Sequence, residues 1–409
     1  MEDSEIILAS LSGEDKPGVT AALTAVLAEH DANILDIGQA NIHHSLSLAI
    51  MFEAKNAGEV IKDLLFKASE VGGVMIRFSP VSKEEYTRWV CLQGGTKNRY
   101  IVTVLGRTLK PAQISSVANI SQKYKLNIEK IIRLTGRVPL QAEDRPSRSC
   151  VEMAIRGGTV EDVQQLKHDF MKLADEQEID IAFQVESMYR RMRRLVCFDM
   201  DSTLIQTEVI DELAERAGVG EQVKAITEAA MRGEIDFSES FKKRVSLLKG
   251  LDESVMKEIA ENLPITEGMT RLIRILKKGG YKLAILSGGF TYFGNYLRDK
   301  YGFDYVYANE LEIVDGKLTG NYVGDIVDGK RKAELLRLLA QVEKVDMRQT
   351  VAVGDGANDL PMLGIAGLGI AFHAKPKVKE NAKQSLSTVG LDGILYFLGY
   401  RDSMLVGEE

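Results

Sequence analysis

Three apolar runs in the second half of the chain each lead into polar residues that could act together chemically. The first leads into Asp199–Thr203 (DMDST), the second into Ser287–Gly289 (SGG) and the third into Gly354–Asp359 (GDGAND). The runs lack polar alternation, which is typical of strands buried on both faces of a parallel sheet. Because ligands bind at the carboxyl ends of strands in open α/β sheets, we expect the three segments to converge on one crevice.

Four carboxylates would then lie in that crevice, namely Asp199, Asp201, Asp355 and Asp359. Like charges at such short range repel strongly unless a cation neutralises them. Mg²⁺ prefers oxygen ligands, needs few protein contacts and completes its shell with water and phosphate oxygens. The pattern therefore predicts a magnesium-dependent reaction of a phosphate group.

The predicted reaction is phosphoryl transfer through a covalent aspartyl phosphate. A carboxylate can attack phosphorus, and Asp199 ends a strand that would hold it on a fixed trajectory. Asp201 lies two residues further on, where it can protonate the leaving alkoxide and later deprotonate the hydrolytic water.

Phosphate binding is expected from the second segment and from a lysine. Ser287 offers a hydroxyl, and the flexible backbone at Gly288 offers N–H donors to a phosphate oxygen. Lys332 opens a helix one element before the third strand and would stabilise the anion, with Lys330 as the neighbouring alternative.

These residues require an α/β, doubly wound, Rossmann-like parallel sheet, which we place in residues 187–409. Its core would comprise 195–207 and 265–400. The chain between the first two motifs is far longer than a βα crossover needs, and Val209–Leu263 has the pattern of helices throughout. We expect residues 208–264 to form a helical cap that excludes water from the crevice.

The first half of the chain predicts a duplicated domain. Short strands and amphipathic helices follow one another in the order βαββαβ, typical of ferredoxin-like α+β folds, in residues 1–85 and again in 98–186. The period of roughly 95 residues is too long for a solenoid repeat.

The motifs DxDST, SGG, a lone lysine and GDGAND, in this order, resemble the haloacid dehalogenase-like hydrolase superfamily, and within it the phosphoserine phosphatases, over roughly residues 195–399. The resemblance implies Asp199 as nucleophile and Asp201 as acid and base. It also implies a set of residues around Mg²⁺ and phosphate. In that set the metal is held by Asp199, the Asp201 carbonyl and Asp355, with Asn358 and Asp359 in support, and phosphate is bound by Ser287, Gly288 and Lys332.

Phosphoserine needs an anion for its ammonium group and a cation for its carboxylate. Glu208 and Arg244 stand where the family has these charges, and Met231 and Phe237 match its apolar cap contacts. An ordinary surface ion pair and plain cap core are the alternative interpretations. The resemblance implies hydrolysis of O-phospho-L-serine to L-serine and phosphate, the last step of serine biosynthesis. Phosphoryl transfer to homoserine or another alcohol, and an amino-acid sensor with a vestigial phosphatase, remain as rival functions.

The two N-terminal repeats resemble ACT domains, which often bind amino acids where two copies pair. Asp15–Val19 matches the family's loop between the first strand and the first helix, and Gly18 would let backbone N–H groups approach a carboxylate. Asp15 could instead cap the helix. The corresponding Arg107–Ala112 has no glycine there, which favours a structural pairing role for the second copy. The resemblance implies an amino-acid effector such as serine and a homodimer.

Composition excludes several other classes of protein. The 409 residues include 52 Lys and Arg against 59 Asp and Glu, a net charge of −7 that argues against nucleic-acid binding. Three dispersed cysteines without a CxxC pair indicate neither a disulfide framework nor a zinc site. No secretion signal and no run of about 18 uncharged apolar residues is visible. We expect a soluble, cytoplasmic protein without a membrane partner.

Overall fold

The computed structural model describes residues 4–94, 99–137, 148–157, 163–232, 234–405 and 407, and the side chains of 92–94 and 231 lie outside this description. The chain forms two compact units, residues 1–97 and residues 98–409. Across the described ranges, no helix combines the length and the apolar character that crossing a membrane requires.

The first unit is a four-stranded antiparallel sheet with two helices packed on it. Strand order is β2-β3-β1-β4. Two pairs of apolar side chains, each spaced by one helical turn, are buried in its core: Leu23 and Leu27 in the first helix, and Val60 and Leu64 in the second. This spacing explains why the two segments form amphipathic helices. The elements are β1 (Glu5–Glu14), α1 (Val19–Glu29), β2 (Asn33–Ile42), β3 (Ser45–Ala54), α2 (Ala57–Val71), β4 (Val74–Val81) and α3 (Lys83–Gly94).

The second unit begins with a repeat of the same topology. Its sheet has the order β6-β7-β5-β8, which is equivalent to that of the first unit. One set of side chains, including Val102 and Phe170, forms a core under the repeat's own helices. The elements are β5 (Arg99–Gly106), α4 (Pro111–Lys123), β6 (Leu126–Arg133), β7 (Ser149–Gly157), α5 (Val163–Glu176) and β8 (Asp180–Val185).

The other face of this second sheet packs on the α/β part of the same unit. Leu105, Leu134, Cys150 and Ala182 belong to the large apolar core that also contains strands of the α/β sheet. Strand β5 is consequently buried along nearly its whole length. The sheet of the second repeat is thus covered on both faces.

The α/β part is a seven-stranded sheet of order β12-β11-β10-β9-β13-β14-β15, parallel except for β12. Strand β9 lies between β10 and β13, so the three strands that lead to the motifs are neighbours. The elements are β9 (Leu195–Phe198), α6 (Val209–Arg216), α7 (Gly220–Met231), α8 (Phe237–Leu247), α9 (Ser254–Glu261), α10 (Met269–Lys278), β10 (Lys282–Phe290), α11 (Thr291–Tyr301), β11 (Tyr305–Val314), β12 (Lys317–Val323), α12 (Gly329–Val342), β13 (Thr350–Gly354), α13 (Leu360–Ile365), β14 (Leu368–Phe372), α14 (Pro376–Asn381), β15 (Gln384–Leu386) and α15 (Ile394–Phe397).

Helices α6–α9 form a cap that is inserted between β9 and α10. Two short segments, residues 204–206 and 264–266, link it to the sheet and are named here the cap connection. They pair through an Ile205–Ile265 bridge, with Gln206 N–H donating to Pro264 O at 2.8 Å and Thr266 N–H to Leu204 O at 3.1 Å. The cap is therefore attached through two short segments that are joined by backbone hydrogen bonds just after the DMDST motif.

Candidate active site

The three motifs meet at the carboxyl ends of β9, β10 and β13. Asp199, Asp355 and Asp359 each have a carboxylate oxygen that lies within 4.8 Å of the others. Asp199 and Asp359 are buried, and Asp355 is half-buried. Because the three strands are adjacent and parallel, their ends bring together residues that are more than 150 positions apart in the sequence.

Lys332 lies at the centre of this cluster. Its Nζ is 2.9 Å from Asp199 Oδ1 and 2.7 Å from Asp359 Oδ1, and its side chain is fully buried. Burial opposes its charge, but Asp199 and Asp359 outweigh that effect and raise the pKa of Lys332. Lys330, the alternative from the sequence, is exposed.

When all are ionised, Asp199, Asp355 and Asp359 carry more negative charge than Lys332 can neutralise. Burial, followed by the charge of Asp199, raises the pKa of Asp355 to about 8 and that of Asp359 to about 7. A group of hard oxygen donors with such a charge excess suits a divalent cation of the Mg²⁺ type. The residues present therefore fit the expected metal.

Asp201 is buried next to the same cluster. Burial, and then the charges of Glu208 and Asp199, hold the pKa of Asp201 well above its usual range. Its Oδ1 accepts a hydrogen bond from Val209 N–H at 3.1 Å. A Cβ on Gly289 would lie 2.3 Å from Asp201 Oδ2, so glycine is required for the SGG loop to pass this carboxyl. A carboxyl whose pKa is raised holds its proton more firmly than an ordinary aspartate and is better suited to act as an acid.

The SGG loop is stabilised by its own hydroxyl and by a residue that the sequence analysis missed. Ser287 is buried, and its Oγ accepts a hydrogen bond from Gly289 N–H at 2.9 Å. Asn309, buried in β11, donates to Gly288 O at 2.7 Å and accepts from Val327 N–H at 2.8 Å. Its position on the strand next to β10 was the available signal.

The turn after β13 holds the other predicted residues. Asp359 Oδ2 accepts a hydrogen bond from Gly356 N–H at 2.9 Å, and Asn358 is half-buried beside Gly356. Gly329 begins α12 so close to this turn that a Cβ there would lie 2.5 Å from Asn358 O. Thr203 Oγ1, also missed from the sequence, lies 3.4 Å from Asp355 Oδ1.

Glu208 marks the entrance from the cap. It precedes α6, and its Oε1 accepts a hydrogen bond from Ser202 Oγ at 2.8 Å. Glu208 is exposed to solvent, but the protein packed around it partly desolvates its carboxylate and thereby raises its pKa. Ser202 has a φ of 54°, a left-handed conformation that is uncommon for serine.

Arg244 lies on α8 and is half-buried. Desolvation lowers its pKa, against the charges of Glu208, Asp211 and Asp201. Within the described ranges, no carboxylate lies within 4.0 Å of its guanidinium, so the alternative of a Glu208–Arg244 ion pair is not formed. Arg244 Nε donates to Ser240 O at 3.4 Å.

Of the two apolar cap residues, Phe237 meets the SGG loop. A Cβ on Gly288 would lie 2.9 Å from Phe237 Cζ, so the ring lies directly against the loop backbone. Met231 ends α7, and its side chain lies outside the described residues. The structure thus places one of the two predicted apolar residues next to the SGG loop.

In the first unit, the loop before α1 has the expected glycine. Gly18 has a φ of 94° and is the N-cap of α1, with no side chain capping the helix. Asp15 therefore does not cap it; its Oδ2 accepts a hydrogen bond from Asn41 Nδ2 at 2.6 Å instead.

Known proteins with related sequences cover nearly the whole chain. Phosphoserine phosphatase SerB2 of Mycobacterium tuberculosis is 40% identical over 396 residues, which span 96% of this chain and 93% of that protein. A phosphoserine phosphatase of Streptomyces coelicolor is 38% identical over 407 residues, with coverage of 97% and 93%. Both relatives therefore match the N-terminal repeats as well as the α/β part.

Solved structures agree with the fold. The unliganded probable phosphoserine phosphatase of Vibrio cholerae aligns with a TM-score of 0.56 at 36% identity, over 75% of this chain and 88% of its own. A hydrolase of the same superfamily from Salmonella enterica serovar Typhi aligns with a TM-score of 0.62 at 28% identity, over 73% and 98%.

Family models divide the chain between its two units. The ACT domain model matches residues 5–79, so the expectation of two ACT domains is confirmed for the first repeat alone, although the second repeat has the same topology. The haloacid dehalogenase-like hydrolase model matches residues 196–364, which include all four motifs. By its motifs, its strand order and these relatives, the chain belongs to the phosphoserine phosphatase family of haloacid dehalogenase-like hydrolases.

Proposed function

We propose that the chain hydrolyses O-phospho-L-serine to L-serine and phosphate in a magnesium-dependent reaction. The observation that carries this proposal is the buried cluster in which Lys332 contacts Asp199 and Asp359, with Asp355 beside them. Relatives that match this chain along nearly its full length are phosphoserine phosphatases. The grouping of Asp199, Asp201, the SGG segment and Lys332 around the carboxyl ends of neighbouring strands supports the proposal.

In the first step, a carboxylate oxygen of Asp199 attacks phosphorus, and the bond between phosphorus and the seryl oxygen breaks. Asp201 supplies the proton that the leaving seryl oxygen needs, which its raised pKa permits. Lys332 places a positive charge 2.9 Å from the Asp199 carboxylate, where phosphoryl oxygens arrive.

In the second step, water attacks the aspartyl phosphate while Asp201 removes a proton from it, which releases phosphate and restores Asp199. Ser287 and the N–H of Gly288 hold the phosphoryl oxygens during both steps. When bound, the metal neutralises the phosphoryl oxygens and the surrounding carboxylates. Asp199, the Asp201 carbonyl and Asp355 would hold it, supported by Asn358 and Asp359.

Substrate choice would come from the cap. Glu208 would bind the ammonium group, and Arg244, whose guanidinium forms no ion pair with a carboxylate in the described ranges, would bind the substrate carboxylate. Phe237, together with Met231, would provide an apolar wall over the SGG loop. Charged recognition at both ends of a three-carbon compound distinguishes phosphoserine from sugar phosphates, which carry neither charge.

The proposal also includes the organisation of the chain. Residues 1–85 and 98–186 would be two ACT-like domains, and 187–409 the phosphatase domain with its cap at 208–264. The loop with Asp15 and Gly18 would bind an amino-acid effector such as serine, and the protein would act as a homodimer.

Steady-state kinetics with phosphoserine, phosphothreonine and sugar phosphates test the function, each with and without Mg²⁺. We expect kcat/KM to be highest for phosphoserine and to require the metal. Added homoserine should remain unphosphorylated, whereas formation of phosphohomoserine would indicate the rival transferase. Equal turnover of phosphoserine and sugar phosphates would refute the substrate assignment, and no turnover would favour the vestigial alternative.

A further inference from the structure

The loop between β5 and α4 in the second repeat, residues 107–110, is named here the docking loop. It corresponds to the loop of the first unit that contains Gly18, but no glycine stands in it. Instead, Arg107 extends from the repeat to the α/β part. Its guanidinium donates to both carboxylate oxygens of Glu267, at 2.9 and 2.7 Å, and its Nε donates to Thr388 O at 3.0 Å.

Glu267 directly follows the cap connection. Thr266, its neighbour, donates one of the two backbone hydrogen bonds that join the segments of that connection. The backbone of Glu267 is itself held, because its carbonyl accepts a hydrogen bond from Leu391 N–H at 2.8 Å. Gly268 then adopts a φ of 77°, where a Cβ would lie 2.3 Å from Asp392 Oδ1. Residue 267 is thus held in place immediately after the second segment of the cap connection.

Other contacts also hold the second repeat against the α/β part. Asp180 accepts hydrogen bonds from Ser387 and Thr388 N–H, at 2.6 and 2.9 Å. Arg148 of the repeat and Arg271 of α10 both pair with the buried Asp392. With the apolar side chains shared between the two parts, these contacts leave the second repeat little freedom to move against the sheet.

From this geometry we propose that Arg107 is a positioning residue for substrate turnover, which it influences by holding Glu267 and hence the cap connection. Through this ion pair the second repeat restrains the cap, which carries Glu208 and Arg244. When the restraint is lost, states with an open cap become more populated. Part of the binding free energy of the substrate is then used to close the cap, which weakens the apparent affinity. The structural role predicted for the second repeat would thus include restraint of the cap connection in its own chain.

The ion pair is solvent-exposed, with 42% and 49% of the two side chains accessible, so its loss should leave the fold intact. Arg107→Ala is expected to raise KM for phosphoserine about three- to fivefold, the upper range for one exposed pair, with kcat changed less than twofold. Arg107→Lys, which keeps the charge but loses the two-pronged contact, should give an intermediate KM. The double variant with Glu267→Ala should be no worse than either single variant.

Lys123→Ala provides the matched control. Lys123 forms an ion pair of 2.7 Å with Asp169, and both residues belong to the second repeat. We expect its KM to equal that of the unmodified chain. Hydrogen exchange of the amides of Gln206 and Thr266 gives an independent measurement: it should be faster in Arg107→Ala and unchanged in Lys123→Ala.

Kinetics in Arg107→Ala equal to those in Lys123→Ala would overturn the proposal, and so would unchanged exchange at Gln206 and Thr266. The kinetic measurement rests on the proposed function, whereas the exchange measurement does not. Failure of the unmodified chain to hydrolyse phosphoserine would therefore refute the function, while faster exchange in Arg107→Ala would still support the restraint.

Discussion

Replacing Lys332 by methionine removes the buried ammonium group that pairs with Asp199 and Asp359 while keeping a side chain of similar length. Lys332 Nζ lies 2.9 Å from Asp199 and 2.7 Å from Asp359, and its side chain is fully buried. Each attraction is about 6 kcal/mol at an effective dielectric constant of about 20, much of which offsets the cost of burying the ions. Loss of one partner from such a pair typically costs about 3–5 kcal/mol.

Protonation limits this cost. A carboxylate left without its partner can take up a proton, at a cost of about 1.4 kcal/mol for each pH unit above its ordinary pKa near 4. The limit is about 4 kcal/mol at pH 7 and about 1.5 kcal/mol at pH 5. Because the folded form of Lys332→Met would bind the extra proton, its stability deficit should grow as pH rises above 4.

The deficit is measured by urea unfolding of the metal-free protein at pH 5 and pH 7, with Lys330→Met as the control at an exposed neighbour. Trp89, the single tryptophan, lies in the first unit, so far-ultraviolet circular dichroism is the better probe. Lys332→Met should be less stable than Lys330→Met at both pH values, by more at pH 7. Equal stability of the two variants, or a deficit that is the same at both pH values, would show the electrostatic reasoning to be wrong.

Three further predictions concern catalysis and the metal. Asp199→Asn should lower kcat by several orders of magnitude with the fold intact by circular dichroism, and near-normal turnover would disprove its role as nucleophile. Arg244→Ala should lower kcat/KM for phosphoserine about 10- to 100-fold, the value of one charged hydrogen bond, and affect para-nitrophenyl phosphate much less; equal losses would contradict its contact with the substrate carboxylate. Because the folded-state pKa values of Asp355 and Asp359 are raised to about 8 and about 7, the metal-free protein should lose stability as pH rises from 4 to 8. Mg²⁺ should restore that stability most at the alkaline end, and a thermal midpoint that is independent of pH in chelator would argue against a charge excess in the cluster.

The convergence of the motifs could be predicted from the sequence because it depends on a general property of parallel sheets. Once the runs before Asp199, Ser287 and Asp355 are recognised as buried strands, their carboxyl ends share one edge. The cap was likewise predictable, since the insertion is too long for a crossover and its apolar residues recur at helical spacing.

Contacts between surface residues left no such trace. Arg107 and Glu267 are 160 positions apart, and neither belongs to a periodic pattern or a motif. Asn309 resembles any polar residue within a strand until its two backbone partners are known. The sequence predicted the second repeat as a separate domain. Burial of the second face of its sheet could not be predicted, because it depends on which apolar side chains of the α/β part are available to pack against it.

The way in which the second repeat is completed bears on synthesis of the chain. The backbone of Phe183 exchanges two hydrogen bonds with the Gln384 side chain, at 2.8 and 2.6 Å, across 201 positions of sequence. At a translation rate of about 5–20 residues per second, Gln384 emerges about 10–40 s after Phe183. During that interval the apolar residues Leu105, Cys150 and Ala182 have no sheet to cover them. This apolar surface of the second repeat is therefore incompletely covered, and prone to aggregation, until the last strands of the α/β sheet have been synthesised. The sheet of the first unit does not depend on these later strands, since it consists of β1–β4.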